Sequence, residues 1–275
     1  MLKEISFELR SRTHNIFSSP LADKIVYIHI PKCGGVSISK ALKGCYVNWD
    51  VRDKAVYNLD SVATLKVAEQ IENKSLYTQH PTVTGLRENL LMYAMAQQDI
   101  RFINGHFMFS NLAYNMSGHD FHFVTMLRNP VDKWISAYFY NRHKSYGNSK
   151  TDLPLEEYLD SPAAYRSGQS CVRFLYGKQI DDQDSVSTEQ LLENAKKNLH
   201  CFKLVGAIEH LDTFLEQFSH TFGRRLDIGT WNRNPKSKSH QRSLITPQVY
   251  ARIEDLCQPD TDLYNYAIDN LILKH

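Results

Sequence analysis

The sequence lacks any apolar stretch long enough to cross a membrane, and no signal-peptide core stands near residue 1. Its five cysteines are scattered without a Cys-x-x-Cys pair, which argues against a disulfide framework and a zinc site. Neither sign of charge dominates, because 32 Lys and Arg stand beside 30 Asp and Glu. A net charge of +2 implies no general affinity for polyanions. We therefore expect a cytoplasmic protein with no membrane or nucleic-acid partner, whose anion sites are local.

Metal chemistry is also poorly represented, although the chain has 12 histidines. The nearest pair, His119 and His122, has a spacing that suits a helix, yet both precede a strand-like run. Such a pair does not predict shared coordination, so we expect no metal site.

The pattern of apolar runs predicts an α/β fold. Residues 24–30, 121–127 and 202–208 are strand-like, and each is followed by a turn and a helical segment. Strands that alternate with helices predict a central parallel sheet flanked by helices, of the P-loop-like type. The chain has 275 residues, 42% of them hydrophobic and 23% charged, which is typical of a globular protein. We expect one domain over residues 1–275.

Helix boundaries follow from capping residues. Asn129 and Pro130 suit the start of a helix that runs to about Tyr140. Residues 51–98 are mostly helical in tendency, with breaks predicted at His80-Pro81 and at Gly85, and they are candidates for shaping a substrate pocket. Two further helices are predicted near the end, over residues 246–256 and 264–273, and residues 181–187 are predicted to form a surface loop.

The first chemical motif is residues 31–38, PKCGGVSI, between a strand and a helix. Successive backbone N–H groups in such a turn can surround a phosphate, with Lys32 as an added cation. The motif is not a Walker A sequence, because Gly-Lys-Ser/Thr is missing. The alternative is a Gly-Gly turn that only joins a strand to a helix.

The second motif is residues 127–138, LRNPVDKWISAY. Arg128 leaves the end of a strand and offers a guanidinium fork to a phosphate, and Ser136 follows two helical turns later on the same side. The alternative makes Arg128 a surface charge and Ser136 an ordinary helix residue. Together the two motifs describe a site for a nucleotide with two separate phosphates.

These two segments resemble the PAPS-dependent sulfotransferases, where PAPS is 3′-phosphoadenosine 5′-phosphosulfate. The resemblance is to the branch that includes carbohydrate sulfotransferases such as heparan sulfate 2-O-sulfotransferase. It implies that the loop, comprising Lys32, Cys33, Gly34, Gly35, Val36 and Ser37, binds the 5′-phosphosulfate. Val36 stands where many relatives carry Thr or Ser, and Cys33 is expected to act only as a small packing residue. Arg128 and Ser136 then bind the 3′-phosphate.

Two more segments take a role from the same resemblance. Residues 104–107, NGHF, are similar to the segment that supplies a catalytic histidine, so His106 is the candidate general base. Some relatives carry a second histidine where this chain has Asn104. The basic loop 231–238 contains Arg233 and Lys236, which are candidates for closing over the nucleotide or for an ordinary surface loop.

The resemblance implies transfer of a sulfonate group from PAPS to a hydroxyl by in-line displacement, without a metal. Lys32 and the loop amides would stabilise charge on the leaving phosphate. Small molecules and carbohydrates both remain open as acceptors, and the absence of a broad basic surface favours a small molecule, such as a secondary metabolite. Two alternatives stay open: a nucleotide kinase or ATPase with a degenerate loop, which would need magnesium, and a nucleotide-binding module without catalysis.

Overall fold

The computed structural model describes residues 20–46, 54–117, 120–144, 149–178, 186–228 and 245–274. In this part of the chain, the sheet has five strands, all parallel, in the order β2-β3-β1-β4-β5. The strands are β1 (Lys24–Ile28), β2 (Val56–Asn58), β3 (Phe102–Gly105), β4 (Phe121–Leu127) and β5 (Leu204–Ala207). The sheet confirms the α/β class and the parallel arrangement that the strand-helix alternation predicts.

Helices connect the strands and cover the sheet. In chain order they are α1 (Gly35–Gly44), α2 (Ser61–Glu72), α3 (Pro81–Ala96), α4 (Asn111–Ser117), α5 (Pro130–His143), α6 (Leu155–Leu159), α7 (Pro162–Gly168), α8 (Ser170–Leu175), α9 (Thr188–Leu199), α10 (Leu211–Phe222) and α11 (Pro247–Ala267). A short 3₁₀ turn, Ile208–His210, precedes α10, and a π-helical turn, Ile268–Ile272, follows α11. None of the helices in the described ranges has the length and apolarity needed to span a bilayer.

The sheet is buried on both faces, because alternate strand residues point in opposite directions. In β1, Ile25 and Tyr27 belong to one apolar cluster, which includes buried side chains of α1 and α10. Val26 and Ile28 belong to the other, which includes buried side chains of α3, α8, α9 and α11. The fold therefore has three layers, and the loops at the carboxyl ends of the strands lie at one edge of the middle layer.

Two of the predicted helix boundaries are wrong. Gly85 lies inside α3 rather than at a break, since one glycine costs a helix only about 1 kcal/mol and the buried residues around it offset that cost. The predicted break at His80-Pro81 is confirmed, because the His80 side chain caps α3 and Pro81 occupies its first turn. The two helices predicted near the end are one long helix, α11, which continues through Pro259.

Packing on other elements explains why α11 continues through Pro259. Cys257 and Leu263, on either side of the proline, are fully buried. Between them Asp260 is also buried and lies 2.9 Å from the Nζ atom of Lys133 on α5. Burial on both sides of the proline outweighs the lost backbone hydrogen bond. This ion pair ties α5, the helix that follows β4, to the end of the chain.

Candidate active site

The carboxyl ends of three neighbouring strands bring the predicted site residues to one edge of the sheet. The loop 31–37 follows β1, His106 follows β3, and Arg128 follows β4. Parallel strands open at the same edge, which is where open α/β sheets bind their ligands. The structure therefore places the loop 31–37 between the candidate base and the candidate phosphate-binding arginine.

The loop after β1 has the backbone of an anion cradle. Lys32 and Gly34 both adopt left-handed φ angles, 67° and 68°. Gly34 is also the cap residue of α1 and has no side chain to accept bonds from the first-turn N–H groups. A turn of this kind directs successive N–H groups toward a common point, where an anion is favoured.

Packing explains why both loop glycines lack a side chain. A Cβ atom on Gly34 would lie 2.7 Å from Cδ1 of Ile208, in addition to the strain of its left-handed backbone. A Cβ atom on Gly35 would lie 2.0 Å from the ring of His29. The loop is thus closed by the side chains of Ile208 and His29 where its two glycines lack a Cβ atom.

Lys32 is held by two neighbours. Its carbonyl oxygen accepts a hydrogen bond of 3.0 Å from Nη1 of Arg128, which stabilises a left-handed backbone that is costly for a residue with a Cβ atom. Its Nζ atom lies 4.0 Å from the ring centroid of Tyr140. Burial, with the nearby charge of Arg128, lowers the pKa of Lys32 to about 8.

The other side chains of the loop, those of Cys33, Val36 and Ser37, differ in their burial. Cys33 is fully buried under the loop, and its contact with Cys171, together with burial, raises the pKa of the Cys171 thiol. Val36 has 40% of its surface exposed, on the outside of α1. Ser37 follows in the first turn of α1, where its N–H group donates to the Gly34 carbonyl over 3.2 Å.

The helix after β4 is positioned by its cap. The Asn129 side chain accepts a bond of 3.1 Å from the N–H group of Asp132, as the sequence predicts for a helix start. Its own N–H group donates to Glu209, which also accepts a bond from the Tyr264 hydroxyl. Ser136 is half-buried two turns into this helix, and no hydrogen bond among the described residues joins it to Arg128.

His106 has one ring nitrogen committed to a structural bond. Its Nδ1 atom lies 2.6 Å from the backbone carbonyl oxygen of His29. A carbonyl only accepts, so Nδ1 carries the proton, and Nε2 of the neutral ring keeps its lone pair. Burial lowers the pKa of His106, and the Arg87 charge acts in the same direction against the opposing effect of the His29 carbonyl. The ring is therefore neutral at pH 7 and has the state of a general base.

His29 is a residue of this site that the motifs do not indicate. Its ring centroid lies 4.4 Å from that of His106, and burial, with His106 acting the same way, lowers its pKa to about 3. It stands just after β1, where a lone polar side chain interrupts an otherwise apolar run. That interruption is the signal that sequence reasoning could have used.

A cavity of about 850 Å³ adjoins the loop. Lys32 and His106 both line it, and so does Tyr140. Most of its other walls come from residues 61–87 and 137–174. Gly34, Gly35 and Arg128 do not line it, so Lys32 and His106 lie where the loop side of the site meets the cavity.

Comparison with known proteins agrees with this geometry. A model of the Sulfotransferase family matches residues 15–267, which is most of the chain. The chain belongs to the Sulfotransferase family. A search of curated proteins finds no match. The parallel sheet with helices on both faces agrees with a sulfotransferase fold, and membership of the family makes the protein a transferase enzyme that moves a sulfonate group.

The structure describes one of the three remaining residues that the sequence singles out in this sulfotransferase. The Asn104 amide donates to the side chain of Asn58 on β2 over 3.2 Å, so this bond joins β3 to β2. Arg233 and Lys236 lie outside the described residues.

Proposed function

We propose that this sulfotransferase uses PAPS as its donor and transfers the sulfonate to a hydroxyl of a small-molecule or carbohydrate acceptor. The observation that carries the proposal is the meeting of two surfaces at Lys32 and His106. On one side lies the left-handed turn at Lys32 and Gly34, and on the other lies the cavity of about 850 Å³. A donor phosphate in the turn and a hydroxyl in the cavity would then reach each other beside a base and a cation.

The donor assignment is supported by the shape and charge of the loop. Backbone N–H groups of Gly34 and Gly35 at the start of α1, together with the Ser37 hydroxyl, would hold the 5′-phosphate. Arg128 and Ser136 are proposed to bind the 3′-phosphate from the adjacent strand and helix. Arg128 already donates to the Lys32 carbonyl, so one side chain would link the two phosphate sites.

The chemical roles follow from proton and charge states. PAPS supplies an activated sulfonate. His106 would accept the hydroxyl proton at Nε2, because Nδ1 is bonded to the His29 carbonyl. Lys32, half-buried and cationic below pH 8, would stabilise negative charge on the leaving phosphate. The cavity walls would align the acceptor oxygen with the sulfur atom.

The test is sulfonate transfer itself. The purified protein is incubated with PAPS and a metabolite extract, and mass spectrometry searches for compounds that gain the mass of one SO₃ group. Products should form with the wild type, should persist in EDTA, and should be nearly absent with His106→Ala. A strict magnesium requirement with ATP as the donor would favour the kinase alternative. Tight PAPS binding without any product would favour a binding module.

A further inference from the structure

The ammonium group of Lys32 is partly buried without a counter-charge. In the described part of the chain no carboxylate pairs with it, and its Nζ atom donates no hydrogen bond. The titratable groups around it are Arg128 at the end of β4, His106 after β3 and Lys144 just past α5, none of them acidic. Buried charges in proteins are ordinarily paired. A group other than a carboxylate must therefore hold this side chain.

The ring of Tyr140 is that group. The Nζ atom of Lys32 lies 4.0 Å from the ring centroid, well inside the roughly 6 Å over which a ring face attracts a cation. The Nζ atom of Lys144 lies 5.9 Å from the same centroid, at the limit of that range. Lys32 is therefore the main cation on the ring.

Packing does not explain an aromatic residue at position 140. The Tyr140 side chain has 55% of its surface exposed, and its hydroxyl bonds to no other residue that the structure describes. Its neighbours on α5, Tyr138 and Phe139, are buried, and the Tyr138 hydroxyl donates to the Leu153 carbonyl over 3.1 Å. These neighbours fix the end of α5, so the contact with Lys32 is what the Tyr140 ring adds.

A neutral ring suits a lysine that acts on a phosphate. A carboxylate beside Lys32 would neutralise its charge and repel an incoming phosphate. The quadrupole of an aromatic face attracts the ammonium without a full negative charge. Tyr140 and Lys32 both line the cavity with His106, so the ring restricts the lysine at the place where the loop side of the site meets the cavity.

We propose that Tyr140 is a positioning residue for sulfonate transfer, whose ring holds the Lys32 ammonium by a cation–π contact and leaves its charge available to the leaving phosphate. The inference deepens the proposed function and rests on it in one respect, namely that Lys32 acts on that phosphate. The contact itself can be measured in the protein alone.

The first test needs neither donor nor acceptor. The protein is labelled with lysine that carries ¹³C at Cε, and the NMR signal of Lys32 is identified by its loss in Lys32→Arg. The Hε protons of Lys32 should resonate upfield of the ordinary lysine position, because they lie over a ring. Tyr140→Phe should keep this shift and Tyr140→Leu should remove it. Tyr165→Leu, at an exposed tyrosine outside the cavity, should leave it unchanged.

Titration of the same signal separates a ring that attracts the charge from a ring that only covers it. Attraction favours the charged form, so Tyr140→Leu should lower the pKa of Lys32 from about 8 by roughly 0.5–1 pH unit. A ring that only buried the ammonium would act in the opposite direction, because its loss would admit water and raise the pKa. A rise in Tyr140→Leu, or an equal fall in Tyr140→Phe, would overturn the proposal.

The second test is kinetic and uses PAPS with an acceptor found in the extract. Tyr140→Leu should lower kcat by roughly 3- to 30-fold, the range that a cation–π contact supplies, and Tyr140→Phe should stay close to the wild type. Affinity for the donor product 3′-phosphoadenosine 5′-phosphate (PAP), measured by titration calorimetry, should change less than kcat does. The alkaline limb of kcat/KM should move to lower pH in Tyr140→Leu, because the pKa of Lys32 falls.

The two tests fail separately. A wild type that transfers no sulfonate would contradict the proposed function, whereas the NMR titration would still confirm or refute the contact between Tyr140 and Lys32. In an active wild type, an ordinary Lys32 signal would refute the positioning role alone. Near-normal kcat with an unmoved alkaline limb in Tyr140→Leu would refute it as well.

Discussion

The loop proposed to hold the donor and the cavity proposed to hold the acceptor are built in different ways. The cradle uses adjacent residues, 31–37, and acts through its backbone, with left-handed turns at Lys32 and Gly34. The cavity uses side chains from separate elements, such as Arg87 on α3 and Arg166 on α7. A contiguous backbone site leaves a readable motif in the sequence. A site assembled from distant side chains does not, and this is where specificity for the acceptor is expected to lie.

The largest expected effect lies on the boundary between these two regions. His106→Ala should lower turnover by roughly 10²–10⁴-fold, because proton removal loses its base. PAP affinity, measured by titration calorimetry, should stay nearly unchanged, since the cradle is intact. His122→Ala is a matched control, because that histidine lies on β4 near Asp23, outside the cavity. Near-normal turnover in a folded His106→Ala protein would remove the base assignment.

The next effect concerns the ion pair that supports both regions. Asp260 bonds Lys133 on α5 and accepts bonds of 2.9 Å from the N–H groups of Cys171 and Val172 on α8. Asp260→Ala leaves the Lys133 charge buried and unpaired, so we expect a loss of about 3–5 kcal/mol in the free energy of unfolding.

The control for this prediction is the exposed pair of Arg252 and Asp160. Arg252→Ala should cost at most about 1 kcal/mol, because exposed pairs are screened by water and salt. Urea denaturation measures both variants. Similar losses in the two would contradict the structural role given to Asp260.

A smaller effect should remain within the cradle. Gly35→Ala places a Cβ atom 2.0 Å from the His29 ring, so we expect about 1–3 kcal/mol of destabilisation and weaker PAP binding. Val36→Ala, at an exposed neighbour, should change stability by less than about 0.5 kcal/mol. Adding His29→Ala to Gly35→Ala should recover part of the PAP affinity. No recovery would mean that the ring is not what excludes a side chain at Gly35.

The smallest effect is the pH dependence of kcat/KM. It should rise with pH through the lowered pKa of His106, below the usual value of 6.5, as the base becomes neutral. It should fall again as Lys32 loses its proton, with about half of the lysine neutral near its pKa of about 8. Lys32→Arg should remove the alkaline limb and His106→Ala the acidic one. Limbs that persist in these variants would assign them to other groups.

The sequence predicts correctly those parts of the fold that depend on local residue patterns. The strand over residues 121–127 and the start of the next helix at Pro130 are confirmed, because an apolar run and an Asn-Pro cap define both locally. The sequence predicts two closing helices where the structure has one, because the packing that carries the helix through Pro259 involves partners far along the chain. For the same reason, sequence patterns do not indicate that His29 and Arg87 belong to the site. Each acquires its place from His106, which only the folded sheet brings beside it.

The most direct test of the central claim compares two nucleotides that differ by one phosphate. Titration calorimetry should show that PAP binds the wild type much more tightly than AMP, because Arg128 and Ser136 are assigned to the 3′-phosphate. Arg128→Ala should remove most of the difference, about 1.5–3 kcal/mol for a charge-assisted bond. Equal affinities of the wild type for PAP and AMP would contradict the account.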